Sequence, residues 1–256
     1  MKLQGKRALV TGAGRGIGRG CAVQLARCGA DLVINDRPGS PDALETAEAI
    51  RRLNRDCIVI ESDVFSRAGC ENLLHRALEE VERLDILVSN PAMSVRGDFL
   101  QYDPNQFEAV ISGTLVSGFH VSQLVARHMV DRGQGGKIIF ISSVHAPRPY
   151  AGSVAYNAAK AGLNQMARTI AVELSSHRIN VNVIEPGWID TPGEREVFGT
   201  EVIDREGPRL PWGRLGTVED IGKAAAFLAS DEADYITAAV LRVDGALVFR
   251  DCLSEV

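Results

Sequence analysis

Short, almost uninterrupted apolar runs alternate along this chain with longer amphipathic stretches, and that alternation constrains the fold more than any other feature. RALVTG (7–12), DLVIND (31–36), CIVIESD (57–63), LDILVSN (84–90), GKIIFIS (136–142), INVNVIEP (179–186) and ITAAVLRVDG (236–245) have the length and composition of strands. Helical stretches lie between them: 16–28, Ser40 to about Asn54, Ser66 to about Arg83, 104–132, 153–175 and Thr217 to about Ala229. Strands apolar on both faces belong to a parallel sheet with helices on both sides. The expected fold class is α/β, a single doubly wound domain spanning 1–256 with about seven parallel strands.

Local signals support these limits. Asp103-Pro104-x-Gln106 reads as a cap, a first-turn proline and a returning side chain, and Thr217-x-x-Asp220 as a capping box. Ser40 before Pro41 reads as a further cap. Residues 187–215 are expected to be irregular. A connection that long is either a functional lid or a disordered insertion.

Composition excludes several roles. The net charge is −5, and no basic run stands out, which argues against nucleic acid and anionic membrane as partners. No uninterrupted apolar stretch approaches the roughly 20 residues of a spanning helix, and the N-terminus runs straight into a strand pattern, so the expected location is cytoplasmic. The five cysteines lack C-x-x-C spacing and read as reduced thiols, with Cys21 and Cys28 in the core. The five histidines show no metal-ligand spacing, so no metal is expected.

The first strand runs into TGAGRGIG (11–18) and then a helix. Gly12, Gly16 and Gly18 allow positive φ and close approach of a pyrophosphate to backbone N–H groups at the helix start. The competing reading is a tight strand–helix turn that needs glycine for packing alone. The glycine loop makes the doubly wound domain a Rossmann one. Asp36 closes the second strand, where a carboxylate accepts from both adenosine ribose hydroxyls and repels a 2′-phosphate. That favours NAD(H). Arg15 and Arg37 could pair with a 2′-phosphate and leave NADP(H) open. Asp63 ends the third strand, either as an acceptor for the adenine amino group or as a plain turn residue.

One Tyr-x-x-x-Lys pair, Tyr156 and Lys160, lies on the 153–175 helix, thirteen residues after Ser143. At i and i+4 the two side chains share a face. An ammonium beside a phenol favours phenolate, as a general acid–base group needs. Ser143 follows the fifth strand, at the strand ends that face the ligand crevice of a parallel sheet.

With TGAGRGIG, LVSNPA, ISSV, YNAAK and NVIEPGWIDTP in order, the chain resembles the short-chain dehydrogenase/reductase family over nearly its whole length. The resemblance implies an oxidoreductase that interconverts alcohol and carbonyl by hydride transfer. It implies Tyr156 as acid–base, Lys160 lowering its pKa and holding the nicotinamide ribose, and Ser143 orienting the substrate oxygen. It extends the cofactor site to Ile17, Val64, Asn90, Pro186, Gly187, Ile189 and Thr191, makes 187–215 the substrate lid, and implies a homotetramer paired through the 104–132 and 153–175 helices. Departures occur at Pro91-Ala92, at Ala238 and Ala246 where glycine is usual, and at Thr114. The family has a catalytic Asn at that last position, whose carbonyl helps hold a relay water. The helix bend supported by that Asn is left in doubt. The alanine departures are expected to bear on packing or subunit contact.

Substrate signals are sparser. SSVH followed by prolines resembles the family's glucose dehydrogenases and places His145 near a polyol pocket, against a plain surface-loop histidine; Glu185 and Trp188, flanking Pro186-Gly187, are candidates to line it, with Glu185 otherwise a strand-end residue. The alternative is a 3-oxoacyl-carrier-protein reductase. Its acidic partner would meet Asp190, Glu194, Glu196, Glu201, Asp204 and Glu206 against only Arg195 and Arg205, though Arg127 and Arg132 keep that reading open. A third reading, a cofactor sensor with little catalysis, rests on Thr114 alone.

Overall fold

A computed structural model of the chain describes residues 1–252. The strands are β1 (Arg7–Val10), β2 (Asp31–Asp36), β3 (Cys57–Glu61), β4 (Ile86–Ser89), β5 (Gly136–Ile141), β6 (Ile179–Pro186) and β7 (Val240–Val243). They form one parallel sheet in the order β3-β2-β1-β4-β5-β6-β7. The chain winds outward from β1 to β3, then crosses back to lay β4 on the other side of β1. This reversal opens a crevice at the carboxyl ends of β1 and β4, the place where such sheets bind ligands.

Helices α1 (Gly16–Arg27), α2 (Asp42–Arg51), α3 (Arg67–Val81), α4 (Pro104–Ile111), α5 (Ser117–Arg132), α6 (Val154–Glu173), α7 (Pro192–Phe198), α8 (Thr200–Glu206) and α9 (Val218–Ala229) surround the sheet. Alternate strand residues face opposite sides. Ala8, Val10 and Ile34 join Leu25, Ile50, Ile221 and Leu228 in one core. Leu9, Val33 and Leu87 join Leu73, Val125, Phe140 and Leu163 in the other. A fully buried side chain of this kind contributes about 1.5–3 kcal/mol of transfer free energy.

Several sequence expectations need correction. The 104–132 helix is broken by a π-helical turn at Ser112–Val116, closed by the Ser117 N–H bonding to the Ser112 carbonyl. By length and composition Pro104–Arg132 could cross a membrane, contrary to the sequence expectation, but half of its most apolar stretch is buried inside the fold. Ser40 does not cap α2; its hydroxyl donates to Asp36 Oδ2 at 2.9 Å. Ser66, Asp103 and Thr217 do cap their helices, the last in a full capping box. The 187–215 segment is not irregular but carries α7 and α8. Thr191 caps α7 by accepting from the Glu194 N–H, with Pro192 in the first turn.

The last strand is four residues rather than ten, and Ala238, left-handed at φ +59°, ends the run of extended backbone before it. Its N–H still reaches the Val181 carbonyl, at 2.8 Å. Ala246 is left-handed too, at φ +64°. The alanine departures therefore act on the backbone: a left-handed residue with a Cβ costs about 1–2 kcal/mol.

Candidate active site

The glycine loop links β1 to α1. Gly12 and Gly16 have φ near +59° and +57°. A Cβ on Gly18 would collide with the Gly12 carbonyl, and one on Gly14 with Asp36 Oδ2. Gly14 was missed by the sequence reading, because its need for a bare Cα depends on a carboxylate from the next strand. The loop is pinned by three hydrogen bonds from two residues, Thr46 and Asn90. Thr46 Oγ1 donates to the Gly14 carbonyl at 2.7 Å, Asn90 Nδ2 to the Gly12 carbonyl at 3.1 Å, and the Asn90 N–H to Thr11 Oγ1 at 3.1 Å. Ile17 packs on the core below the loop. Asn90 thus ties the end of β4 to the loop across the crevice.

Asp36 ends β2 against this loop, with its carboxylate oriented by the Arg37 N–H at 2.8 Å and by Ser40. Arg37 is exposed. Arg15 is already engaged: its guanidinium pairs with Glu196 of α7 at 2.7 and 3.3 Å. Asp63 accepts from the Phe65 N–H at 3.0 Å as a turn residue, while Val64 is buried beside it. A cradle of bare Cα positions, a helix start and a carboxylate on the neighbouring strand suit a dinucleotide.

At the other end of the crevice stand Ser143, Tyr156 and Lys160. Lys160 is 1% exposed, and its Nζ donates to the Ile141 carbonyl at 2.8 Å, with Nζ 5.5 Å from the Tyr156 ring centroid. Burial pushes the Lys160 pKa down to about 7. The Tyr156 phenol is pushed up to about 12 by burial, against a lowering by the Ser143 hydroxyl. Nearby Glu194 raises it further. The residue is partly open to the crevice, so entering water softens the effect, but the direction is upward. Lys160 Nζ gives one of its three hydrogens to Ile141 and keeps two for a ligand, while burial disfavours its charged form.

Ser143 Oγ accepts from the His145 N–H at 3.2 Å, which leaves its own hydrogen to donate. His145 stacks on Tyr150 at 4.2 Å and meets the Tyr156 ring edge-on at 5.2 Å. Its Nδ1 lies 2.7 Å from Asn157 Oδ1, and Asn157 Nδ2 donates to the Tyr150 carbonyl. That orientation assigns the hydrogen to Nδ1 and leaves Nε2 an acceptor. Burial lowers the His145 pKa, opposed by the Asn157 hydrogen bond and assisted by smaller effects of Arg96 and Lys160.

Thr114 sits in the π-helical turn, 1% exposed. Its hydroxyl accepts from the Met93 N–H and donates to the Met93 carbonyl, both at 2.9 Å. The helix irregularity left in doubt by the missing Asn is present as this π-helical turn, and the hydroxyl ties it to Met93.

Beyond β6, the Gly187 N–H bonds to the Val243 carbonyl, and the Pro186 carbonyl accepts from Val144, beside Ser143. Ile189 is buried and bridged to Gly216. Thr191 faces Gly16 across the loop. Trp188 Nε1 donates to Glu194 Oε2 at 2.8 Å, and its ring meets Phe198 at 5.6 Å. Glu185 does not join this group. It is 2% exposed, takes Asn164 Nδ2 at 2.7 Å and pairs with Arg242 at 3.2 Å. A carboxylate saturated in this way is a strut between α6, β6 and β7 rather than a pocket wall. Among the described residues no group of three potential metal ligands gathers.

A doubly wound parallel sheet with a glycine cradle at one end of its crevice and a phenol, a lysine and a serine at the other defines a nicotinamide-dependent oxidoreductase. Comparison with known proteins narrows this. Residues 12–247 match a family model described as enoyl-(acyl carrier protein) reductase. The chain is 35% identical to 2-dehydro-3-deoxy-D-gluconate 5-dehydrogenase of Escherichia coli, over 97% of both chains. It is 33% identical to L-rhamnose 1-dehydrogenase (NAD(P)+) of a Sphingomonas species, over 96% of this chain and 97% of that one. Carveol dehydrogenase of Mycobacterium avium, solved with NAD, superposes with a TM-score of 0.91 at 29% identity, covering 97% and 99%. The chain belongs to the short-chain dehydrogenase/reductase family, and it is a dehydrogenase acting on CH–OH groups of a small molecule.

Proposed function

We propose that this enzyme interconverts an alcohol and a carbonyl on a small sugar or polyol, with NAD(H) preferred over NADP(H). The observation that carries the reading is the convergence of Ser143, Tyr156 and His145, whose Nε2 is left as an acceptor, at the end of the crevice. Asp36 at the ribose end, and Arg15 occupied by Glu196, support NAD(H). Gly12, Gly14, Gly16 and Gly18 would cradle the pyrophosphate, while Asn90, Pro186, Gly187, Ile189, Thr191 and Lys160 would hold the nicotinamide half. Asp63 and Val64 would border the adenine. When bound, the dinucleotide takes up or supplies the hydride.

The protein's own residues handle the proton. In the reducing direction the Tyr156 O–H gives its proton to the substrate oxygen, and Ser143 donates a hydrogen bond to the same oxygen. A phenol kept protonated by burial is ready for that step. In the oxidising direction it must first lose its proton, so oxidation is favoured by high pH. His145 Nε2 accepts from a neighbouring hydroxyl. Segment 187–215 acts as the lid, with Trp188 over the substrate. Thr114 acts through Met93, which it fixes beside the site. Pairing into a homotetramer through α4–α5 and α6 belongs to the same reading and is checked by sedimentation.

The relatives' sugar and sugar-acid substrates support this class, whereas the acyl-carrier wording of the family model points to a thioester. Steady-state rates separate the two. The expected result is turnover of L-rhamnose, D-glucose or an aldonic acid with NAD, lost in Tyr156→Phe. Faster reduction of an acetoacetyl thioester than of any sugar ketone would overturn the reading, and tight NADH binding with no turnover of any alcohol or ketone would make the protein a sensor.

A further inference from the structure

One cation at the Tyr156 end of the crevice is not used by the reading above. Arg96 lies in the loop between β4 and α4, and both of its neighbours are fixed. The Val95 carbonyl accepts from the Tyr102 hydroxyl at 2.8 Å, and the Gly97 N–H bonds to the Gly152 carbonyl at 3.0 Å. Gly152 lies four residues before Tyr156, so the loop is fastened to the approach of α6.

The guanidinium lies over the Phe198 ring, 4.9 Å from its centre, and so joins this loop to α7. Phe198 meets Trp188, and Trp188 holds Glu194. On the other side Arg96 is close enough to His145 to push its pKa down, behind the larger effect of burial, and His145 meets the Tyr156 ring. Arg96, Phe198, Trp188 and Glu194 thus form a chain of neighbours, with His145 against Tyr156 and Arg96 exposed at its end.

The other arginines at this end are paired: Arg148 with Asp251, Arg195 with Asp190 and Asp204, and Arg242 with Glu185. Arg96 has no carboxylate or carbonyl partner among the described residues, and contact with a ring face leaves the N–H groups at its edge unspent. A planar guanidinium with a free edge suits a carboxylate, which it can take through two parallel hydrogen bonds. A single guanidinium matches a monoanion better than a phosphate dianion, and Glu194, which holds Trp188, can also accept from substrate hydroxyls.

We propose that Arg96 binds the carboxylate of the substrate, and that the substrate is a sugar acid, an aldonic or ketoaldonic acid, rather than a neutral sugar. The proposal rests on the sugar reading of the site and deepens it. The assignment is tested by comparing D-gluconate with D-glucose, and 2-dehydro-3-deoxy-D-gluconate with L-rhamnose, in the native enzyme, Arg96→Leu and Arg96→Lys. In the native enzyme kcat/KM is higher for the acids, and KM for the acids rises with salt. In Arg96→Leu the acid-to-neutral ratio of kcat/KM falls by roughly 10- to 100-fold, as loss of a charge-assisted pair implies, mostly through KM. Arg96→Lys recovers part of the ratio, and thermal melting checks that both variants fold. A native preference for the neutral sugars, or an unchanged ratio in Arg96→Leu, overturns the proposal and leaves the sugar reading standing. Failure to turn over any of the four compounds, with turnover of a thioester or a simple ketone, overturns both.

Discussion

Replacing Lys160 with methionine should make the protein more stable while stopping turnover. The lysine is 1% exposed, with one hydrogen bond to a backbone carbonyl and no carboxylate beside it. Its pKa falls from 10.5 to about 7 through burial. A fall of that size amounts to roughly 5 kcal/mol against the charged form. Between the two values the unfolded chain binds the extra proton, so stability rises with pH across that window. The penalty is fully present below about pH 7 and gone above 10.5. At pH 6 nearly the whole cost applies, and at pH 9 about 2 kcal/mol of it remains.

Methionine fills similar space and carries no charge, but leaves the Ile141 carbonyl without its partner, at a cost of about 1–2 kcal/mol. The variant should therefore gain about 3 kcal/mol at pH 6 and little at pH 9. Urea unfolding of both proteins at the two pH values measures this directly, and subtracting one protein from the other cancels the histidines. An equal offset at both pH values would refute the argument, because burial of the charge would then not be the cause. Loss of turnover in a more stable protein would identify Lys160 as a functional residue maintained at a structural cost.

The other predictions concern positions where the sequence departs from expectation. Thr114→Val removes both bonds to Met93 and should cost about 1–3 kcal/mol in urea unfolding, with a fall in kcat larger than any change in KM. Thr114→Asn should change turnover by less than an order of magnitude, since the turn is already formed; a thousandfold gain would mean that the native turn is defective. Ala238→Gly should raise stability by about 1 kcal/mol by removing a Cβ from a left-handed residue, visible as a higher melting temperature. Glu196→Gln should free Arg15 for a 2′-phosphate and tighten NADP binding about threefold with little effect on NAD, as fluorescence titration would record; equal effects on both cofactors would contradict it.

Much of the sheet was legible because strands buried on both faces read as continuous apolar runs, whereas the strand order, with its reversal after β3, came from the structure. The Tyr156–Lys160 pair was legible for the same local reason: helix spacing alone puts both on one face. Features set by distant partners were not. Ser40 has the residue type of a cap, but the Asp36 carboxylate competes for its hydroxyl. Glu185 precedes Pro186-Gly187 and reads as a pocket residue until Arg242, 57 positions away, closes on it. The α7 start was written in Thr191-Pro192, though the charge density of the segment hid it. Nothing local announces the left-handed alanines or the free edge of Arg96. Sequence gives Lys160 as the neighbour of Tyr156, whereas the burial that raises the phenol and lowers the ammonium comes only from the packed fold.

The π-helical turn at Ser112–Val116 makes α4 and α5 a single rod containing one residue too many. Each residue rotates an α-helix by about 100°. Excising one residue there would mend the hydrogen-bond ladder and swing Val121 and Val125 off the sheet, or Val110 off its own packing. The outcome would be a more regular helix attached to a poorer scaffold. Length in this stretch is thus fixed more tightly than residue type. A chain shorter by one residue between 112 and 116 could keep its helix straight only by giving up the clasp on Met93.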